Sequence, residues 1–132
     1  EALFRQALKV DSTNAYAMND LGYSLAEQNK NLDEALQLTQ RAVDAQPKNA
    51  SFFDTIGWVC FKMGKLDDAE KYLVKATQTG TKSPAIFEHL GDVFKERGNS
   101  EHAIEAWKTA LSLATDPGQV SSLKAKLDLM PK

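Results

Sequence analysis

Alanine returns at a fixed interval along this chain, and no other feature restricts its folding as much. Ala35, Ala69 and Ala103 lie 34 residues apart, and so do Ala42, Ala76 and Ala110. Gly57 and Gly91 keep the interval of 34, whereas Gly22 and Gly57 are separated by 35. The natural place for the extra residue is the stretch Gln28-Asn29-Lys30-Asn31. Around these markers, Leu21-Gly22-Tyr23 aligns with Ile56-Gly57-Trp58 and Leu90-Gly91-Asp92. Likewise Leu32-Asp33-Glu34-Ala35 aligns with Leu66-Asp67-Asp68-Ala69 and Ser100-Glu101-His102-Ala103. A period of this length marks stacked units that cannot bury an apolar face alone and must share a core with their neighbours.

Each unit reads as two amphipathic helices. In the second unit, Ile56, Val59, Cys60 and Met63 recur at helical spacing, followed by Ala69, Tyr72, Leu73 and Ala76. Asn29, Gly64 and Gly98 fall at the bend within each pair, where a left-handed residue often ends the first helix. Pro47, Pro84 and Pro117 mark the junctions between units, since proline ends one helix and suits the first turn of the next. Gly22, Gly57 and Gly91 fall in mid-helix, where glycine costs about 1 kcal/mol relative to alanine. Its return at three equivalent positions predicts a close helix approach, with Phe53, Leu73, Phe87 and Trp107 filling the space between turns. At the ends, residues 1–14 read as the second helix of a preceding unit, because Ala7 lies 35 before Ala42. Residues 118–132 read as a final helix carrying Val120, Leu123, Leu127 and Met130, with Ser121, Ser122, Lys124, Lys126 and Asp128 as a polar outer face. The chain begins with Glu1 inside a helical pattern, and the expectation is a piece of a longer protein.

The pattern resembles the tetratricopeptide repeat family. Repeat one, residues 15–49, supplies Met18, Leu21, Gly22, Leu25, Ala35, Ala42 and Pro47. Repeat two, residues 50–83, supplies Phe53, Ile56, Gly57, Cys60, Gly64, Ala69, Leu73 and Ala76. Repeat three, residues 84–117, supplies Phe87, Leu90, Gly91, Phe94, Gly98, Ala103, Trp107 and Ala110. Thr39 stands where repeat one would carry a large core residue. The resemblance implies an all-α solenoid of antiparallel helical hairpins, about eight helices here, wound into a right-handed superhelix with the first helix of each pair on the concave side.

It also implies which residues face that groove. In repeat one they are Tyr16, Asn19, Tyr23 and Ala26; in repeat two Ser51, Asp54, Trp58 and Phe61; in repeat three Ala85, Glu88, Asp92 and Lys95. The expected groove has an aromatic N-terminal half and an acidic C-terminal half, and takes an extended or helical segment with apolar anchors and some positive charge. Against this stands the simpler expectation that Trp58 and Phe61 pack on the neighbouring first helix and that the carboxylates are an ordinary solvated face. The subclass that grips a C-terminal carboxylate uses Lys, Asn and Arg. The matching positions here hold Asn19, Tyr23, Ser51 and Thr55, which argues against that mode.

Other chemistry finds little footing. A net charge of −2, with 16 Lys and Arg interleaved with 18 Asp and Glu, gives no basic face for nucleic acid. No apolar run is long enough to cross a bilayer, so direct membrane insertion is not expected. His89 and His102 are 13 residues apart on different helices, and Cys60 falls at a core position, so no metal and no cofactor is expected. Gly80-Thr81-Lys82-Ser83 lacks the upstream glycine and preceding strand of a phosphate loop and reads as a repeat junction. Asp33-Glu34 and Asp67-Asp68 open helices, where negative charge suits the dipole, and are not acid–base pairs. The function expected is therefore non-catalytic: a scaffold that binds another protein. The alternatives are a self-association module of a larger assembly and an accessory domain of a longer protein. The segments Asn19–Leu25 and Asp54–Val59 are similar in style to bacterial envelope-associated repeat proteins, and the compartment stays open between bacterial cytoplasm and envelope.

Overall fold

The computed structural model describes residues 1–130; residues 131–132, the end of the expected final helix, lie outside the described residues. The described residues form eight α-helices and no strands. They are α1 (Ala2–Val10), α2 (Ala15–Glu27), α3 (Leu32–Ala45), α4 (Ala50–Lys62), α5 (Leu66–Thr77), α6 (Pro84–Glu96), α7 (Ser100–Leu113) and α8 (Pro117–Asp128). The helices α2–α3, α4–α5 and α6–α7 pair as hairpins. Successive hairpins then stack, with α4 against both α2 and α6.

Local chemistry sets the ends of these helices. The side chains of Asn14, Asn49, Asn99 and Asp116 accept from Ala17 N, Phe52 N, His102 N and Gln119 N, capping α2, α4, α7 and α8. Pro84 and Pro117 occupy the first turns of α6 and α8, where the missing N–H is no loss. Pro47 lies ahead of the Asn49 cap and stays outside the helix. The bends close alike. Lys30 N, Lys65 N and Asn99 N donate back to Leu25 O, Cys60 O and Phe94 O at 2.8–2.9 Å, one residue after the left-handed Asn29, Gly64 and Gly98. The α2–α3 loop has four residues where the other two hairpins have three, and its additional Asn31 is also left-handed, at φ 48°.

The three mid-helix glycines are explained by what faces them. A Cβ on Gly91 would lie 2.3 Å from the indole of Trp107. On Gly22 and Gly57 it would lie 2.4 Å from Thr39 Cγ2 and 2.8 Å from Leu73 Cγ. Each hairpin is thus closed by a residue of its second helix seated on a bare stretch of its first. Thr39 does this with its methyl group while its Oγ1 donates to Ala35 O at 2.8 Å. Phe53, Leu73 and Trp107 are buried as expected, while Phe87 is half-buried. The buried core runs continuously from α2 to α7, and Trp107 joins Ala103, Ala110, Leu123 and Met130 in a second cluster under α8. Cys60 sits in the larger cluster, and burial pushes its thiol up to about 11, so it stays protonated and unreactive at neutral pH.

Candidate functional site

Side by side, α2, α4 and α6 form one continuous face, and the period of the sequence decides what meets there. Residues about one repeat apart become neighbours. Asn19, Asp20, Tyr23, Ser51, Asp54, Thr55, Ala85 and His89 surround a hollow of about 250 Å³ between the three helices. A second hollow of about 250 Å³ lies towards α8, between Phe61, Asp92, Lys95, Glu96, Trp107 and Lys126. Of the expected site residues, Asn19, Tyr23 and Asp54 meet at the first hollow and Phe61, Asp92 and Lys95 at the second. Tyr16 and Tyr23 are 60% and 41% exposed. Tyr16 lines neither hollow and packs edge-on against Phe52, with ring centroids 5.4 Å apart.

Three expectations need correction, and Trp58 follows the second of the two readings held open for it, packing on the neighbouring first helix. Ala26 is fully buried, so its position in repeat one does not reach the face. Trp58 is not an open platform. Its ring stacks on His89 at 4.2 Å and on Phe61 at 4.8 Å, and its Nε1 donates to Glu27 Oε1 at 2.7 Å. The acidic C-terminal half is not free either. Lys126 of α8 places its Nζ 2.8 Å from both Glu88 Oε2 and Asp92 Oδ1, and Gln119 Nε2 donates to Glu88 Oε1 at 3.1 Å. Lys126, expected on a polar outer face, therefore turns inward. Trp107 Nε1 adds a bond to Asp92 Oδ1 at 3.2 Å.

The charges respond to this arrangement. Burial pushes the Glu88 carboxyl up, but hydrogen bonds from Lys126 and Gln119 outweigh it and hold it below the usual range. Burial pushes Lys126 down, and its bonds to Asp92 and Glu88 reverse the sign. His89, missed as a site residue, has its Nδ1 2.7 Å from Asp54 Oδ1. Burial lowers its pKa, but the Asp54 bond and the charges of Asp54, Asp92 and Glu88 raise it above the ordinary value. A raised folded-state value contributes stability that is complete below the ordinary histidine value and fades as pH rises through the folded one. Thermal melts from about pH 5.5 to about pH 8.5 are expected to show this loss in the native chain, and a flatter profile in His89→Gln. Parallel profiles would show that the pair adds nothing.

The arithmetic of the repeat would have found both missed partners. Lys126 is 34 residues after Asp92, and His89 is 35 after Asp54.

Capped hairpins stacked in register, presenting an exposed polar and aromatic face with bound internal charges, define a helical-repeat solenoid. Tetratricopeptide repeat models match residues 1–50 and 50–79. The chain belongs to the tetratricopeptide repeat family. It is 38% identical over 79 residues to TPR repeat-containing protein PA4667 of Pseudomonas aeruginosa, covering 60% of this chain and 13% of that one. It is 30% identical over 122 residues to TPR repeat-containing protein MJ1428 of Methanocaldococcus jannaschii, covering 92% of this chain and 21% of that one. The chain thus spans about an eighth and about a fifth of the lengths of these relatives. Among solved structures, the type III secretion translocator chaperone SycD of Yersinia enterocolitica superposes with a TM-score of 0.80 at 16% identity, over 95% of this chain and 96% of that one. That likeness is one of fold.

Proposed function

We propose that this chain is a non-catalytic module that holds an extended or helical segment of another protein against the face of α2, α4 and α6. The observation that carries the reading is the exposure of Tyr16 and Tyr23 on that face. They are seven residues apart, two turns along one side of α2, and Tyr23 lines the first hollow. Rigid aromatic rings offer large contact area at low entropic cost, and tyrosine is enriched among the residues that dominate binding. The membership of a repeat family and the TPR relatives support a scaffold role in general terms. Trp58, Phe61, Glu88 and Asp92 then belong to the wall of the site, held by the contacts described above, and Lys95 is exposed at the second hollow.

A second reading has its own observation. Leu3 and Val10, on one side of α1, are 79% and 85% exposed, and an apolar pair of this kind is a surface that self-association would use. Affinity capture comparing the native chain with a Tyr16→Ala, Tyr23→Ala variant, with circular dichroism to verify folding, separates the two. Loss of a captured protein in the folded variant supports the groove. Equal capture by both sinks it. A solution mass that rises with concentration in both, and falls in Leu3→Glu, selects self-association.

A further inference from the structure

We propose that the hollow between Asn19, Asp20, Tyr23, Ser51 and Asp54 is a subsite for a single arginine side chain of the partner protein. This rests on the groove reading and adds the chemistry of its ligand. The charge expected near Glu88 and Asp92 is consumed by Lys126, so an uncompensated negative region must be sought elsewhere on the face. It lies at the first hollow. Among the described residues its lining includes no lysine or arginine, and its only cationic partner, His89, is committed to Asp54. Asp20 is exposed and makes no ion pair there. The neighbouring Tyr23 hydroxyl is pushed up by burial and then by the charges of Glu27 and Asp54, which marks the region as negative.

Independent of the charges, Asn19 is an unsatisfied acceptor. Its side chain is all but buried, at 8% exposure, and lines the hollow. Its Nδ2 donates to Asp20 Oδ1 at 3.2 Å, while its Oδ1 has no hydrogen-bond partner. Buried acceptors are almost always bonded, so this oxygen is a place where a donor is owed. That oxygen is closed off by packing, and presenting it to a donor in the hollow takes a turn of the soft Cβ–Cγ torsion that gives up the Nδ2–Asp20 bond. The Thr55 hydroxyl donates to Ser51 O at 3.1 Å, which commits its proton and leaves it only accepting capacity.

The demand is thus for several N–H donors and positive charge in a space of about 250 Å³. That is small for a free ligand and suits one side chain. A guanidinium meets it better than an ammonium, because its planar fork reaches several acceptors at once and stacks on an aromatic face such as Tyr23.

The test is an NMR titration of the chain with Nα-acetyl-arginine methylamide and with its neutral, near-isosteric citrulline counterpart. The arginine compound is expected to shift the Asn19 side-chain amide and the Ser51 and Ala85 backbone amides saturably. Citrulline, and arginine added to Asp20→Asn, are expected to bind at least about tenfold more weakly, as loss of a charge-assisted hydrogen bond implies. Asp20 is exposed, so that variant should keep the fold. Equal binding of the two compounds, indifference to Asp20→Asn, shifts centred on Lys126, or no saturable shift overturns the subsite. If tyrosine-dependent capture survives such a failure, the groove reading stands and the arginine subsite alone is wrong. If arginine binds as expected but capture ignores the tyrosines, the guanidinium chemistry of the hollow stands, while the groove reading falls and takes with it the assignment of that arginine to a groove-bound partner.

Discussion

Trp107→Ala should lower stability by about 3–5 kcal/mol, as expected for deleting a fully buried large aromatic. Trp107 is 1% exposed and joins α6, α7 and α8. Its indole fills the space above Gly91, and its Nε1 bonds Glu88 O and Asp92 Oδ1. Removal leaves a cavity and takes a donor from a half-buried carboxylate. Because a solenoid is stabilised by nearest-neighbour contacts, the loss should fall on α7 and α8 first. Hydrogen exchange is expected to speed up there before it does in α2–α5. The partner substitution, Gly91→Ala, adds only one methyl group and improves helix propensity, yet that methyl would sit 2.3 Å from the ring. Overpacking of this kind costs about 1–3 kcal/mol, more than the roughly 1 kcal/mol that alanine returns in propensity. In a Trp107→Ala background the clash is gone and Gly91→Ala should become neutral or stabilising. Urea denaturation of the four proteins measures the coupling. Additive costs would show that the glycine is not kept for the tryptophan.

Lys126→Met should cost about 1–3 kcal/mol near neutral pH, because it keeps the aliphatic stem and leaves Glu88 and Asp92 half-buried without their cation. The value belongs below that of a fully buried pair, since the lysine side chain is 31% exposed and partly screened. The pH dependence has a definite sign. Glu88 is held below the usual carboxylate range, so its contribution is present above its ordinary value and is lost as pH falls through the folded one. Lys126 is held above its ordinary value, so its contribution disappears only as pH climbs through that raised value. Native and variant chains should therefore differ most around neutrality and converge on acidification. Urea melts at about pH 7 and about pH 3 make the comparison. A constant difference would place the effect in packing of the stem, not in the charge. The same substitution should also loosen α8, which reaches Glu88 through Gln119 and Ser122 as well.

Helix number, pairing and punctuation were all legible in the sequence, because each has a local cause. Asn29, Gly64 and Gly98 take the left-handed conformation their position requires. Gly22, Gly57 and Gly91 announce a close approach whatever fills it. Cys60 at a core position is buried. The repeat also fixed which backbone positions become neighbours, 34 or 35 residues on, and so held the addresses of Asp92 with Lys126 and Asp54 with His89.

Period alone could not say which side chains at those addresses remain available. Trp58 shares its register with Tyr23, but one is clasped by His89, Phe61 and Glu27 while the other stays open. Glu88 and Asp92 look like free acids along the chain and are bound once α8 docks. Asn19 looks like any polar groove residue until packing closes over its oxygen. The sequence by itself determined the solenoid, because glycine geometry, caps and the 3.6-residue pattern act over a few neighbours and repeat without change. Only the tertiary structure decided the electrostatics of the face, because a charge is satisfied or exposed according to what stands across from it on another helix. One lysine on α8 pairs the carboxylates at one end of the face and leaves exposed Asp20 near the other.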